Sequence, residues 1–164
     1  MPAIRLNAVE KKIVSDAMVA ADALLAKLDK NKDGILDEVE AKTLIRGNER
    51  ASKKLNDHFQ DQKDNPPPSY MAGVLNSSLT DAERTMMVVM QGIAQFSEEN
   101  RQDRSISLVD ARKATQRAYE NTLGLLRKPN NPDTGPFAAI FGARLLPVSA
   151  APLIAQRLAV LHDP

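Results

Sequence analysis

Apolar residues recur every three or four positions over most of the chain, and this spacing predicts an all-α fold. The first run follows Asn7, a residue type that caps helices, and Glu10 lies three positions later, where it can complete a capping box. One face is then apolar up to the end of the run. The positions on that face are Val9, Ile13, Val14, Ala17, Ala20, Ala21, Leu24, Leu25 and Leu28. We therefore expect a long first helix that ends near Leu28.

A second helix is expected to begin near Glu38 and to turn Leu44 and Ile45 towards the core. Gly47-Asn48 is a plausible stop for this helix, although the residues beyond it could continue helically with few apolar positions. The sequence Asp64-Asn-Pro-Pro-Pro-Ser then breaks regular structure, because consecutive prolines favour an extended conformation. We interpret this stretch as a spacer; the alternative is a docking motif for a proline-binding module.

Two further helices are predicted in the second half of the chain. The segment Thr80-Asp-Ala-Glu83 has the capping-box pattern, which marks the start of the first of them. The apolar residues that share its face are Ala82, Met86, Val89, Met90, Ile93 and Phe96. A second amphipathic helix follows the polar stretch 97–110, and its inward positions are Leu108, Ala111, Thr115, Ala118, Tyr119 and Leu123.

Composition narrows the functional classes. A chain of 164 residues with 43% hydrophobic content can bury the core of one domain. Its 22 basic and 21 acidic residues are mixed along the sequence and give a net charge of +1, so we expect neither a nucleic-acid nor an anionic-membrane partner. The absence of cysteine excludes disulfides, thiolate metal sites and a cysteine nucleophile.

The sequence also shows neither a candidate membrane span nor a Sec signal peptide. No stretch reaches the roughly 18 uninterrupted apolar residues that a membrane span requires. Residues 1–12 lack the apolar core and the small-residue cleavage site of a Sec signal peptide. We therefore expect a cytoplasmic protein; secretion without a Sec signal peptide is the alternative.

The chemistry that stands out lies between the first two predicted helices. Residues 29–40 read Asp-Lys-Asn-Lys-Asp-Gly-Ile-Leu-Asp-Glu-Val-Glu, so oxygen-bearing side chains alternate with other residues around a glycine. Ca²⁺ takes six to eight oxygen ligands, and alternate residues of a tight loop can aim their oxygens at one centre. Gly34 stands midway, where the backbone must turn with positive φ.

This loop resembles the EF-hand calcium loop, and the match to that pattern is complete. The resemblance implies one Ca²⁺ site, in which Leu36 would form a short β contact with a neighbouring loop. It also implies the ligand set: one side-chain oxygen each from three residues, a main-chain carbonyl, a water-mediated acid and a closing bidentate glutamate. In that order the ligands are Asp29, Asn31, Asp33, Ile35, Asp37 and Glu40.

The stretch 97–110 resembles a degenerate second EF-hand, in which Ile106 corresponds to Leu36. In that register the ligand positions are Glu99, Arg101 and Asp103, with Arg104 where glycine should stand and Asp110 in place of the closing glutamate. Arginine adds positive charge to such a site, so we do not expect calcium there.

The resemblance predicts that the two units pair within residues 1–128, with an insert at about 48–79 that contains the prolines. The segment 129–164 is apolar and is expected to pack on that pair, with a loop at 130–136 and Ser149 capping a final helix. That helix would present on one side Leu153, Ile154, Leu158 and Leu161. Two alternatives are that the segment fills a target groove and leaves it on calcium or partner binding, or that it forms a homodimer.

The sequence contains no recognisable catalytic motif, and we do not expect an enzyme. The two histidines, His58 and His162, lie in no recognisable nucleophile or metal motif. Methionine suits adaptable binding surfaces, so Met86 and Met90 are candidate partner contacts together with Leu153 and Leu158, although helical spacing more often indicates plain core.

Two roles follow from the resemblance. In the first, calcium draws Glu40 into its coordination sphere, the following helix rotates and an apolar groove opens to a protein partner, as in a sensor or adaptor. In the second, calcium is a structural staple or is merely buffered, in a non-enzymatic interaction protein. A single good site slightly favours the second role, whereas the methionines and the apolar C-terminal segment favour the first.

Overall fold

Two helix–loop–helix units, joined through a short pair of antiparallel strands, form the centre of the molecule. The computed structural model describes residues 4–76, 78–100, 105–133 and 135–161. The first unit comprises α1 (Ala8–Leu28), β1 (Ile35–Leu36) and α2 (Glu38–Asp64), and the second comprises α4 (Asp81–Asn100), β2 (Ile106–Ser107) and α5 (Leu108–Arg127). The short α3 (Tyr70–Leu75) lies between them, and α6 (Gly135–Ala143) and α7 (Ala151–Leu158) follow. The prediction of an all-α fold is therefore confirmed.

The start of α1 agrees with the sequence. Glu10 donates its backbone N–H to Oδ1 of Asn7 over 2.8 Å, and the Asn7 N–H donates to Oε1 of Glu10 over 2.9 Å, which completes the capping box. Most of the predicted apolar face is buried. Two positions of that face are exposed instead, Val9 at 57% and Ala20.

Helix α2 does not stop at Gly47-Asn48, so the predicted stop was wrong and the alternative, that the residues beyond it continue helically, is the one observed. The helix runs on to Asp64 and buries Ala51 and Leu55 in its second half. A Cβ atom on Gly47 would lie 2.0 Å from Sδ of Met86. The glycine therefore serves close packing between α2 and α4 rather than helix termination.

The strand pair joins the two interhelical loops. Ile35 lies opposite Ser107 and Leu36 opposite Ile106 in antiparallel register, as the correspondence of Leu36 and Ile106 predicted. Leu36 and Ile106 are both buried, at 1% and 5% exposure. The Leu108 N–H also donates to the Gly34 carbonyl over 2.9 Å, so the turn of the first loop is bonded directly to the start of α5.

Helix α4 begins at the predicted capping box. Glu83 donates its N–H to Oγ1 of Thr80 over 3.1 Å, and the Thr80 N–H donates back to Oε1 of Glu83 over 2.9 Å. Farther along, a Cβ on Gly92 would lie 2.8 Å from the backbone oxygen of Ala114. The backbones of α4 and α5 therefore come very close at Gly92.

Helices α6 and α7 of the C-terminal segment pack on α3 and α5 and contribute to the core. Arg84, itself buried, donates from Nη1 to the carbonyl of Leu146, and Oδ1 of Asp81 accepts the Val148 N–H; both bonds are 3.1 Å long. Ser149 does not cap α7; a 3₁₀ turn, Val148–Ala150, leads into the helix and leaves no side-chain cap. None of the helices in the described ranges is long and apolar enough to cross a membrane.

Candidate metal centre

The loop between α1 and α2 is shaped by two residues with positive φ, Lys32 at 55° and Gly34 at 77°. Side chains of the loop bond its own backbone around this turn. Oδ1 of Asp33 accepts the Ile35 N–H over 3.0 Å, and Oδ1 of Asn31 accepts the Asp33 N–H over 3.4 Å. These bonds fold the loop inwards.

Three carboxylates converge inside this turn. Asp29, Asp33 and Glu40 each place one oxygen within 4.8 Å of the oxygens of the other two. Asp29 and Glu40 are buried, whereas Asp33 is exposed. Close carboxylates repel one another in a poorly solvated site, so a cation between them would lower their energy.

One carboxylate oxygen of this cluster has no hydrogen-bond partner among the described residues. Oδ1 of Asp29 is buried and accepts no hydrogen bond from any described residue, while Oδ2 accepts the Gly34 N–H over 3.0 Å. Leaving a buried charged oxygen unsatisfied costs free energy. A cation bound among Asp29, Asp33 and Glu40 would satisfy that oxygen, and a set of oxygen donors suits a hard ion. The residues present therefore fit a divalent cation.

Glu40 is fixed by the backbone on both sides of the loop. Its Oε2 accepts the Lys30 N–H over 2.7 Å, and its Oε1 accepts the Asp37 N–H over 3.1 Å. Asp37 caps α2 in return, because its Oδ1 accepts the Glu40 N–H over 2.9 Å. Helix α2 therefore carries the glutamate against the beginning of the loop.

The other predicted ligands lie on the same loop but outside this cluster of acids. Asp37 is engaged at the helix cap, and Asn31 supports the turn. Ile35 belongs to β1, and because its aliphatic side chain carries no ligand atom, only its main-chain carbonyl could bind a cation.

The second loop lies partly outside the described residues, which include none of Arg101, Asp103 and Arg104. Of its other predicted positions, Glu99 pairs with Arg117, with 3.2 Å between Oε2 and Nη1. Asp110 donates its N–H to Oγ of Ser107, which caps α5.

The four candidate partner contacts differ in accessibility. Leu153 and Leu158 are buried, at 7% and 0% exposure, whereas Met86 and Met90 are half-buried. Met90 lines an apolar pocket of about 240 Å³ between α2 and α4, next to the strand pair. The other large apolar residues that line this pocket are Leu36, Leu44, Ile45, Ile93 and Ile106.

A second charged centre, which the sequence patterns do not predict, lies at the opposite end of α1. Glu10 has 0% exposure, and its Oε2 accepts from Nε of Arg127 over 3.0 Å, with Arg157 at 3.7 Å. The hydrogen bond from Arg127 lowers the pKa of Glu10, and burial opposes this effect only in part. No local sequence signal could have found the contact, because 117 residues separate Glu10 from Arg127.

Comparison of the chain with protein-family models, with curated proteins and with solved structures gave no match. The resemblance to the EF-hand therefore stays a prediction from the residues of the loop.

Proposed function

We propose that the protein binds one calcium ion in the loop formed by residues 29–40. The observation that carries this proposal is the buried Oδ1 of Asp29, which has no hydrogen-bond partner among the described residues and belongs to the cluster with Asp33 and Glu40. Hard oxygen donors favour Ca²⁺ over softer metals.

The expected ligand set extends beyond the three clustered acids. Asp29, Asp33 and Glu40 would supply carboxylate oxygens, Asn31 its amide oxygen and Ile35 its main-chain carbonyl. Asp37 would act through a water molecule. Calcium would offset the repulsion among the acids and would hold the start of α2, through Glu40, against the end of α1.

We further propose that calcium binding regulates a protein partner, as in a sensor or adaptor. The apolar pocket between α2 and α4 supports this role, because Leu36 in its wall belongs to the ion-binding loop and Leu44 and Ile45 belong to the helix that begins at Glu38. A movement of α2 would therefore change the shape of the pocket. The cytoplasm is the compartment that we propose, and secretion without a Sec signal peptide is the alternative.

The alternative role, calcium as a structural staple or buffer, is supported by the C-terminal segment. Leu153 and Leu158 are buried in the core, and Arg84 and Glu10 hold the segment through polar contacts. A surface that is already covered in this way has less apolar area to expose on calcium binding.

Calorimetric titration with Ca²⁺ in millimolar Mg²⁺ tests the proposed site. The wild type is expected to bind one ion, and Glu40→Gln is expected to weaken binding by roughly 100-fold, about 2.7 kcal/mol, since it removes a charged bidentate ligand. Glu38→Gln is the matched control, because Glu38 is exposed on the same turn of α2 and is expected to bind normally. Equal affinities for all three proteins would refute the site.

The same titration with an apolar-surface dye separates the two roles. A saturable rise in dye binding with one calcium bound is the outcome expected for a sensor. Calcium binding with constant or falling dye signal would identify a staple or buffer.

A further inference from the structure

Ser78 and His58, 20 residues apart, meet where the segment before α4 passes α2. Oγ of Ser78 lies 2.6 Å from Nδ1 of His58. Ser78 is exposed and His58 is half-buried, so a small molecule can reach the hydroxyl. A hydroxyl in contact with an imidazole nitrogen is the arrangement in which histidine acts as a general base.

The second ring nitrogen determines which tautomer the contact requires. Nε2 of His58 lies 2.6 Å from the carbonyl oxygen of Asn76. A carbonyl oxygen can only accept, so Nε2 carries a proton. In the neutral ring Nδ1 is then bare and accepts the hydroxyl proton of Ser78. The amide nitrogen of Gln62 also lies 3.0 Å from Nε2, and it donates instead to the Gly73 carbonyl over 3.2 Å.

The backbone presents the serine in an unusual conformation. Ser78 has φ of 59°, in the left-handed region that few residues other than glycine adopt. Its N–H donates to Oδ1 of Asn76 over 3.2 Å, which holds the turn. Asn76 therefore positions both members of the pair, the ring through its carbonyl oxygen and the serine through its side chain. Backbone strain of this kind is frequent at functional sites.

We propose that Ser78 is an activated nucleophile, that His58 is its general base, and that the pair takes small activated carboxylic esters as acyl donors. Nδ1 of His58 accepts the hydroxyl proton while Oγ bonds to the carbonyl carbon. The bond from that carbon to the leaving oxygen breaks, and the alcohol or phenol departs with the proton from the imidazolium. Acylated Ser78 remains, and no oxidant or reductant is needed. This chemistry is independent of calcium and goes beyond the expectation of a non-enzymatic protein.

Reaction of the full chain with p-nitrophenyl acetate, with and without Ca²⁺, tests the proposal. We expect p-nitrophenol release and one acetyl group that peptide mass spectrometry places on Ser78. Ser78→Ala is expected to lack that acetyl group. His58→Gln is expected to react roughly 100-fold more slowly, the usual contribution of a general base, although glutamine can still donate to the Asn76 carbonyl.

Ser149→Ala is the matched control, since Ser149 is also exposed but lies in the C-terminal segment, and it is expected to react as the wild type does. Circular dichroism checks that each variant is folded. An acetyl group on another residue, or none on Ser78 of the wild type, would overturn the proposal whatever the variants do. So would a folded His58→Gln protein that reacts at the wild-type rate, because His58 would then only hold the turn.

Discussion

Glu10 illustrates how one side chain can serve two structural purposes. Its backbone and carboxylate complete the cap of α1, and the same carboxylate binds Arg127 at the end of α5 and Arg157 on α7. A buried carboxylate is tolerated because two guanidinium groups and a backbone N–H compensate its lost hydration. The carboxylate of Glu10 therefore links α1 to α5 and α7.

Because the pKa of Glu10 is lowered in the folded protein, we expect the protein to lose stability at acidic pH. A carboxyl group whose pKa falls below its ordinary 4.5 on folding stabilises the fold above that value, and this stabilisation is lost as the pH falls through the lowered pKa. Glu10→Gln should destabilise the protein at pH 7 by about 1.5–3 kcal/mol, the usual contribution of a hydrogen bond to a charged group. It should also flatten the dependence of stability on pH below the ordinary value.

Urea unfolding of the wild type and of Glu10→Gln between pH 3 and pH 7 measures this effect. Glu49→Gln removes the same charge from an exposed position on α2 and is expected to behave as the wild type does. A constant difference between the wild type and Glu10→Gln at every pH would contradict a role for the Glu10 charge.

At the scale of single residues, contacts between residues that are close in the sequence could be predicted, whereas contacts between residues that are far apart in the sequence could not. The bond between Asn7 and Glu10 follows from a spacing of three residues, and the alternating oxygens of 29–40 predict a turn that gathers them. The contacts of Glu10 with Arg127 and of His58 with Ser78 depend on how helices pack, which no short pattern encodes.

At the scale of elements, the strand pair couples the candidate calcium loop to the second loop. Leu36 and Ile106 are opposite each other and buried, and the Leu108 N–H reaches the Gly34 carbonyl. The second loop can therefore hold the first in shape without binding an ion itself. This provides a physical reason for a partner loop whose ligand positions are poor.

Truncation of Ile106 should weaken calcium binding at a distance from the ligands. Ile106→Ala removes the side chain that packs beside Leu36, so the loop must be ordered at additional cost when calcium binds. We expect the calcium affinity to fall by roughly fivefold or more, within the usual range of coupling between sites. Val109→Ala, at a position 62% exposed on the first turn of α5, should bind as the wild type does. Calorimetry of both variants checks this, and equal affinities would mean that the strands do not couple the loops.

The first residues of helices were easier to predict than their last residues or the structure of the C-terminal segment. Capping boxes at Asn7 and Thr80 involve residues three positions apart, so they mark helix starts in the sequence itself. Gly47 resembled a stop because glycine commonly follows helices, but Met86 of another helix occupies the space beside it. Ser149 was misassigned in the same way, since the 3₁₀ turn before α7 depends on the packing of the C-terminal segment.

For the whole molecule, the central question is whether the C-terminal segment belongs to the core or leaves it on calcium binding. Leu146 and Leu158 are at most 1% exposed, and the polar contacts of Arg84 with Leu146 and of Glu10 with Arg157 would both have to break before the whole C-terminal segment could detach. Detachment would also leave the Arg84 guanidinium without the Leu146 carbonyl, at a cost in free energy. We therefore expect regulation by calcium to act at the pocket between α2 and α4 rather than through release of α7.

Hydrogen exchange read by mass spectrometry, with and without Ca²⁺, tests this expectation. Amides of α7 should exchange about as slowly as those of α5 in both conditions, because both helices contribute to one core. Amides of residues 29–40 should become more protected on calcium addition, which provides an internal control that the ion has bound. Faster exchange confined to α7 in the presence of calcium would show instead that the segment is released, and the apolar face of Leu153 and Leu158 would then be the surface offered to a partner.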